Sequence, residues 1–407
     1  MNHRVYLDYA AATPLDKRVK EVMDEYLQVA GAHSTDSINS QQACSGQANP
    51  SGLYQEGREA QKALGEARKT VAGFISAKPH EIIFTSSTTE SNNIAILGTA
   101  MANKSKGLHI ITTVVEHVSS LNPFKRLEED GFEVTYLPVD EFGRVSADQV
   151  KKAIRPDTIL VSIIFASNEI GTVNPIKEIG KGIKGMKRDE RGGLPYFFTD
   201  AAQAVPHIKI NADNLGIDLM SFSSSKIYGP KGASALYIKS GVKILPVMLG
   251  GSQENGLRPC TQDVSGIVGF AEAIKIIQSE GEKEDSRLAE WRDRIIKEVK
   301  SVLLEVLLNG HPTERLANNV SFSIPTVKGE ELVMAMDEAG FALSTRSACD
   351  AKNSTPPHVI KAIGRTDDEA WGTVRITLGR YTSEEDVENF IRVFINKINQ
   401  LKLISNN

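Results

Sequence analysis

Apolar positions along the chain follow two rhythms. Between Tyr54 and Ile75 they recur at steps of four and three (Ala60, Leu64, Ala67, Val71, Phe74), a spacing that predicts an amphipathic helix. Downstream, short apolar runs alternate with helical stretches: EIIFTS (81–86), LHIITT (108–113), FEVTYLPV (132–139), TILVSIIFA (158–166), YFFTD (196–200), LMSFS (219–223) and ASALYI (233–238). Runs this apolar read as strands buried on both faces. Their alternation with helices predicts a mostly parallel sheet covered on both sides. RVYLDY near the start reads as a further short strand. From Ser265 to about Leu304 the pattern turns helical and charged, a connector leading out of the sheet. NVSFSI, EELVMAMDEAG, TVRITLGR and a terminal helix over Glu384–Leu401 then predict a smaller α/β unit. The expectation is an α/β protein with a large domain over 15–270 and a small domain over 271–407, to which residues 1–14 return. No internal repeat interrupts this order.

Composition narrows the classes. The 407 residues are 41% hydrophobic and 24% charged, as in an ordinary globular protein with a large core. Lys and Arg number 47 against 51 Asp and Glu, with no basic tract, so no nucleic-acid partner is expected. The N-terminal MNHRVYLDYAAATPLDKRVK has no apolar leader core, and TILVSIIFA is too short to span a bilayer. The expected location is the cytoplasm, with no membrane partner. Three cysteines, Cys44, Cys260 and Cys349, and no CxxC pair imply neither a disulfide framework nor a metal site. The Ser/Gln/Asn/Gly-rich stretch Gly31–Gly52 reads as a mobile loop.

In an open parallel sheet, ligands collect beyond the carboxyl ends of the strands. Here those ends are polar. EIIFTS runs into STTESNN, where Thr88 or Thr89 would cap a helix and offer hydroxyls and backbone N–H groups to a phosphate. VEH supplies His117, FASNEIG supplies Asn168, FFTDAAQAV supplies Asp200 and Gln203, and SFSSSKIYGPKG supplies Lys226 amid Ser223 and Ser225. Singly, each has an ordinary reading as a cap, a core polar residue or a surface lysine. Together they are the parts of a pyridoxal 5′-phosphate (PLP) site: hydroxyls for the phosphate, an aromatic ring to stack, a carboxylate for the pyridine nitrogen and a lysine for a Schiff base.

Through YLDYAAATP, FTSSTTESNN, VEHVSS, SNEIGTVNPI, TDAAQAV, SSSKIYGPKG, RPCTQD and STRSAC, nearly the whole chain resembles the cysteine desulfurases of the class V aminotransferase family, fold-type I PLP-dependent enzymes. The resemblance implies that Lys226 is the Schiff-base lysine, His117 the stacking and proton-transfer ring, and Asp200 the partner of the pyridine nitrogen. It implies Gln203 at the phenolic oxygen with Asn168 beside it, and Thr88, Thr89, Ser223 and Ser225 on the phosphate. Thr261 would reach in from the second subunit of a homodimer. Arg375 would grip the substrate carboxylate, with Asn168 near it. Cys349, in the polar loop STRSACDAKNSTPP, would carry sulfur from L-cysteine as a persulfide; separately from the resemblance, the sequence permits the nearby Arg346 to lower the thiol pKa. Cys44 and Cys260 read as a loop residue and a packing residue.

Four features depart from the family pattern. Ser225 stands where histidine is common, Cys260 and Arg346 stand where glycine is usual, and the Gly31–Gly52 loop is long. The chain also ends soon after the terminal helix, without the tail that docks an iron–sulfur scaffold in some relatives. Beside the desulfurase reading stand a selenocysteine lyase or an aminotransferase on the same fold, and a phosphate-binding or assembly protein without chemistry.

Overall fold

The computed structural model describes residues 4–27, 48–186, 193–345 and 355–405. The first expected helix spans Gln55–Phe74. It buries Ala60, Leu64, Ala67 and Val71, with Phe74 half-buried at its end.

All seven apolar runs carry strands, and they form one sheet. Its spatial order is Ile82–Thr85, Ser234–Ile238, Leu219–Ser223, Tyr196–Asp200, Thr158–Ser162, His109–Thr113 and Glu133–Leu137. Only Ser234–Ile238 runs against the others, pairing antiparallel with both neighbours. Successive side chains of a strand point to opposite faces. Val161, Phe197, Met220 and Phe222 accordingly pack into one apolar cluster, while Leu160, Phe198, Leu219 and Leu236 pack into another across the sheet. Helices cover both faces, which is why these strands read as continuous apolar runs rather than alternating ones. The TILVSIIFA run is shorter as a strand than expected. Beyond Ser162, however, the N–H groups of Ile163 and Phe165 still donate to the carbonyls of Phe198 and Asp200, at 3.1 and 2.9 Å.

The charged stretch after Val264 is one helix, Val264–Val302, of 39 residues. At about 1.5 Å per residue it is roughly 60 Å long. Its first half places Ile267, Phe270 and Ile274 in the large-sheet core. Its second half places Leu288, Ile295 and Val299 in a separate cluster with Phe322, Val374, Phe390 and Phe394. That cluster covers an antiparallel sheet of Thr373–Thr377, Asn319–Ser323 and Leu307–Leu308, backed by the terminal helix Glu384–Ser405. Val5–Tyr6 pairs in parallel with Phe341–Ala342, so the N-terminus crosses to this second core. From there the segment Leu7–Thr13 returns past the large sheet: the N–H of Thr13 donates to Ser225 O at 3.0 Å.

Candidate active site

Six of the seven strands are parallel, so their carboxyl ends share one edge of the sheet, and the expected polar residues meet there. A cavity of ≈ 370 Å³ is lined by Thr88, Thr89, His117, Asn168, Asp200, Gln203, Ser223, Ser225, Lys226 and Arg375. Topology explains the convergence. The strand ending in Asp200 lies between the strand leading to Lys226 and the strand leading to Asn168, with the His117 strand one place further out.

Lys226 lies on a short 3₁₀ turn, Ser224–Lys226, just past its strand. Its Nζ donates to the carbonyls of Ala10 and Ala11 at 2.7 and 2.5 Å, and Gln203 Nε2 donates to the same Ala10 carbonyl at 2.9 Å. Two residues on, Tyr228 ties the turn to the long helix and to Arg380. Tyr228 adopts φ +62°, a left-handed conformation unfavourable for an aromatic side chain. It is held there by its N–H on Thr13 Oγ1 (2.7 Å), its hydroxyl on Glu284 Oε1 (2.6 Å), and the Arg380 guanidinium 4.2 Å above its ring.

Asp200 is buried. Its Oδ1 accepts from the N–H of Ala202 at 3.0 Å and its Oδ2 from Asn92 Nδ2 at 2.8 Å. His117 caps the helix Val118–Glu129, its Nδ1 accepting from the N–H of Ser119. Burial pushes its imidazole below the ordinary value; Asp200 opposes that shift, while Lys226, His358 and Arg375 add to it. One residue earlier, Glu116 is fully buried. Its Oε1 accepts from Thr113 Oγ1 and from the N–H of Ile164, both at 2.8 Å, while Oε2 has no partner among the described residues. Burial, with nearby Asp200 adding to it, drives that carboxyl up to about 8 against the pull of those two donors.

Arg375 also lines the cavity and is buried to 2% exposure. It donates to Asn168 O at 3.0 Å and to Asp8 Oδ1 at 2.7 Å, and its Nε has no partner among the described residues. At the outer end Ser223 and Ser225 hydroxyls lie 2.9 Å apart, and Lys231 joins the lining.

The sequence expectation needs two corrections. The helix cap after Thr85 is Ser87, which accepts from the N–H of Glu90, rather than Thr88 or Thr89; both threonines then sit in the first turn with side chains free of capping duty. Cys260 is exposed rather than packed, at φ +138°. Glycine suits that backbone region best, which accounts for the family's usual residue there. Thr261 is exposed and does not line this cavity. Cys349, Arg346, Cys44 and most of the 31–52 loop lie outside the described residues. Sequence reasoning missed Asp8, Asn92, Glu116 and Ser119, although all four sit inside motifs it had singled out.

A seven-stranded, mostly parallel sheet with a lysine, a buried carboxylate and a hydroxyl cluster at its carboxyl edge defines a class, and the chain belongs to it: residues 5–390 match the family Aminotransferase class-V. Within that family it is similar to proteins named cysteine desulfurase IscS. The one from Dictyoglomus turgidum is 46% identical over 405 residues, covering 100% of this chain and 97% of that one. Among solved structures, a NifS-like protein superposes with a TM-score of 0.85 at 32% identity, covering 98% of this chain and all of the other. SspA in complex with cysteine gives a TM-score of 0.77 at 35% identity, covering 93% of this chain and all of that one.

Proposed function

We infer that the protein is a PLP-dependent cysteine desulfurase that converts L-cysteine to L-alanine and carries the sulfur on Cys349. One observation carries the reading: Lys226, Asp200 and Arg375, an amine, a buried carboxylate and a guanidinium, line a single cavity. The residues present fit the cofactor. Asp200 keeps lone pairs for a protonated ring nitrogen beyond the two donors it already accepts. Gln203 has a second amide proton for the phenolic oxygen, and the hydroxyls of Thr88, Thr89, Ser223 and Ser225 suit the phosphate. Thr261 would come from the second subunit of a homodimer, a partner its exposure supports.

When bound, PLP supplies an attachment point for the substrate amine and a sink for the electrons of the Cα–H bond. Arg375, oriented by Asp8 and Asn168, holds the substrate carboxylate. Lys226 Nζ, close to the Ala10 and Ala11 carbonyls, takes the Cα proton. Burial pushes the His117 imidazole beside it toward the neutral form. The Cys349 thiolate attacks the substrate sulfur; the new S–S bond forms as the C–S bond breaks, its electron pair stays with carbon, and alanine leaves after protonation.

The division into 15–270 and 271–407 with 1–14 belongs to this proposal, supported by the separate apolar cluster around Phe322 and Phe390. So do an iron–sulfur scaffold as sulfur acceptor and a cytoplasmic setting, the latter supported by only three cysteines in the chain.

Cys349→Ser tests the reading. The variant is expected to bind PLP, to change its spectrum when cysteine is added, and to release almost no alanine; mass spectrometry of the native protein should find one added sulfur on the Cys349 peptide. Near-normal alanine release from the serine variant overturns the persulfide route and favours a lyase or transaminase using the same cavity.

A further inference from the structure

Asn92 is fully buried on the helix Thr88–Asn93, and its amide joins groups from three separate segments of the chain. Nδ2 lies 2.8 Å from Asp200 Oδ2 and 2.8 Å from Ser119 Oγ, with Ser120 Oγ further off at 3.2 Å, while Oδ1 accepts from Ser221 Oγ at 2.5 Å. An ionised carboxylate only accepts, so the nitrogen side of the amide must face Asp200, and its orientation is fixed. Ser119 Oγ receives one of the two amide protons, which leaves its own proton for His117 Nδ1, 2.7 Å away. The N–H of Ser119 donates to the same ring nitrogen at 3.2 Å. Nδ1 therefore accepts twice, and a neutral ring must carry its proton on Nε2.

We propose that Asn92, acting through Ser119, is a positioning residue that locks His117 as the Nε2–H tautomer while orienting Asp200 with the same amide. The proposal deepens the desulfurase reading, on which it rests only in taking His117 as the ring beside the cofactor. Its chemical consequence is a division of labour. A ring whose Nδ1 is covered by two donors and whose Nε2 is already protonated cannot serve as the resting base, so abstraction falls to Lys226 and His117 acts as a proton donor at Nε2. The ionisable groups acting on the ring are Asp200, Lys226, His358 and Arg375; burial and the three cationic neighbours favour the neutral state this requires, and Asp200 alone works against it.

The test reads the ring directly in the full-length apoprotein. Long-range ¹H–¹⁵N correlations of ¹⁵N-histidine protein, with the His117 signal assigned by its loss in His117→Gln, should show the Nε2–H pattern above the imidazole pKa. Ser119→Ala and Asn92→Ala should each mix the tautomers. Ser119→Ala should also raise the His117 pKa by roughly half to one unit, since a hydroxyl donor that favoured the neutral ring is gone. Ser119→Thr, which restores the hydroxyl, should return the native pattern, and unchanged His109 signals between Thr158 and Thr135 report an intact sheet. An Nδ1–H pattern in the native protein, or native tautomer and pKa in Ser119→Ala, overturns the proposal; should Asn92→Ala fail to fold, the two Ser119 variants decide alone. Because no cofactor or turnover is needed, failure of the desulfurase reading would leave this measurement interpretable.

Discussion

The two ends of the cavity are built on opposite principles. At the floor, Asp200 and Ser119 are buried and bonded to Asn92 behind them, which in turn accepts from Ser221, so each polar group already has its geometry before any ligand arrives. At the outer end Ser86 and Thr89 are exposed, Thr88 and Ser225 half-buried, and the Ser223 and Ser225 hydroxyls bond to each other. A floor of this kind orients dipoles in advance, which matters where charge develops during reaction. The rim can exchange water for a phosphate at little reorganisation, because hydroxyls rotate to suit their partner. Precision is concentrated at the reacting end and adaptability at the anchoring end.

If this contrast is right, floor and rim substitutions separate widely. Asp200→Asn should lower alanine formation by about 10²- to 10³-fold, the usual scale for removing a preorganised charge at a reacting group. Thr88→Val, which removes one of several rim hydroxyls, should lose less than about tenfold, in line with a single neutral hydrogen bond of ~1 kcal/mol. Steady-state rates at saturating PLP would check both. Comparable losses would mean that the rim is as preorganised as the floor.

The buried layer behind the floor should also carry a pH signature that the rim lacks. Glu116 has a folded pKa of about 8 against an ordinary carboxylate value when unfolded, so the folded state holds a proton that the unfolded state has released. The stability this provides is complete at low pH and is lost as pH rises from the unfolded pKa through about 8, after which both states are ionised. Glu116→Gln removes the dependence. Its melting temperature should gain on the native protein by roughly 5 °C between pH 5 and 9, followed by circular dichroism. A difference that stays constant with pH would place the charged carboxylate in the native floor.

The same contrast governs how much was legible in the sequence. The strands stood out because both faces of this sheet are covered, so Phe197, Phe198, Leu219 and Met220 are apolar in succession. Lys226, Asp200 and His117 stood out because each is an ionisable group following an apolar run. Asn92 did not, since within STTESNN it resembles any solvent-facing amide. Its burial comes from a helix packed against strands remote in sequence, and residue type does not reveal that. The left-handed Tyr228 was hidden for the same reason, being held by Thr13, Glu284 and Arg380 from three distant segments. The capping position was legible to within two residues, as the shift from Thr88 or Thr89 to Ser87 illustrates.

The smallest expected effect sharpens the comparison at the rim itself. Ser225 occupies the position where the family commonly carries histidine, and here its hydroxyl lies 2.9 Å from Ser223 Oγ while its N–H shares the same oxygen at 3.3 Å. Both bonds are neutral, so a phosphate at this end would meet hydroxyl donors together with Lys231, Lys226 being committed to the Schiff base. A protonated imidazole in place of Ser225 would add a charge-assisted bond, and such bonds contribute roughly 1.5–3 kcal/mol against about 1 for a neutral one. Part of that gain is offset by losing the Ser223–Ser225 contact and by holding a ring cationic near Lys231. Ser225→His should therefore slow PLP loss on dialysis by only about three- to tenfold, and more at pH 6 than at pH 8, because the ring must be protonated to act. Release of pyridoxal, which lacks the phosphate, should not change. Equal slowing for both ligands would mean that the imidazole acts by packing against the ring, and the adaptable rim would then extend to the floor's side of the cavity.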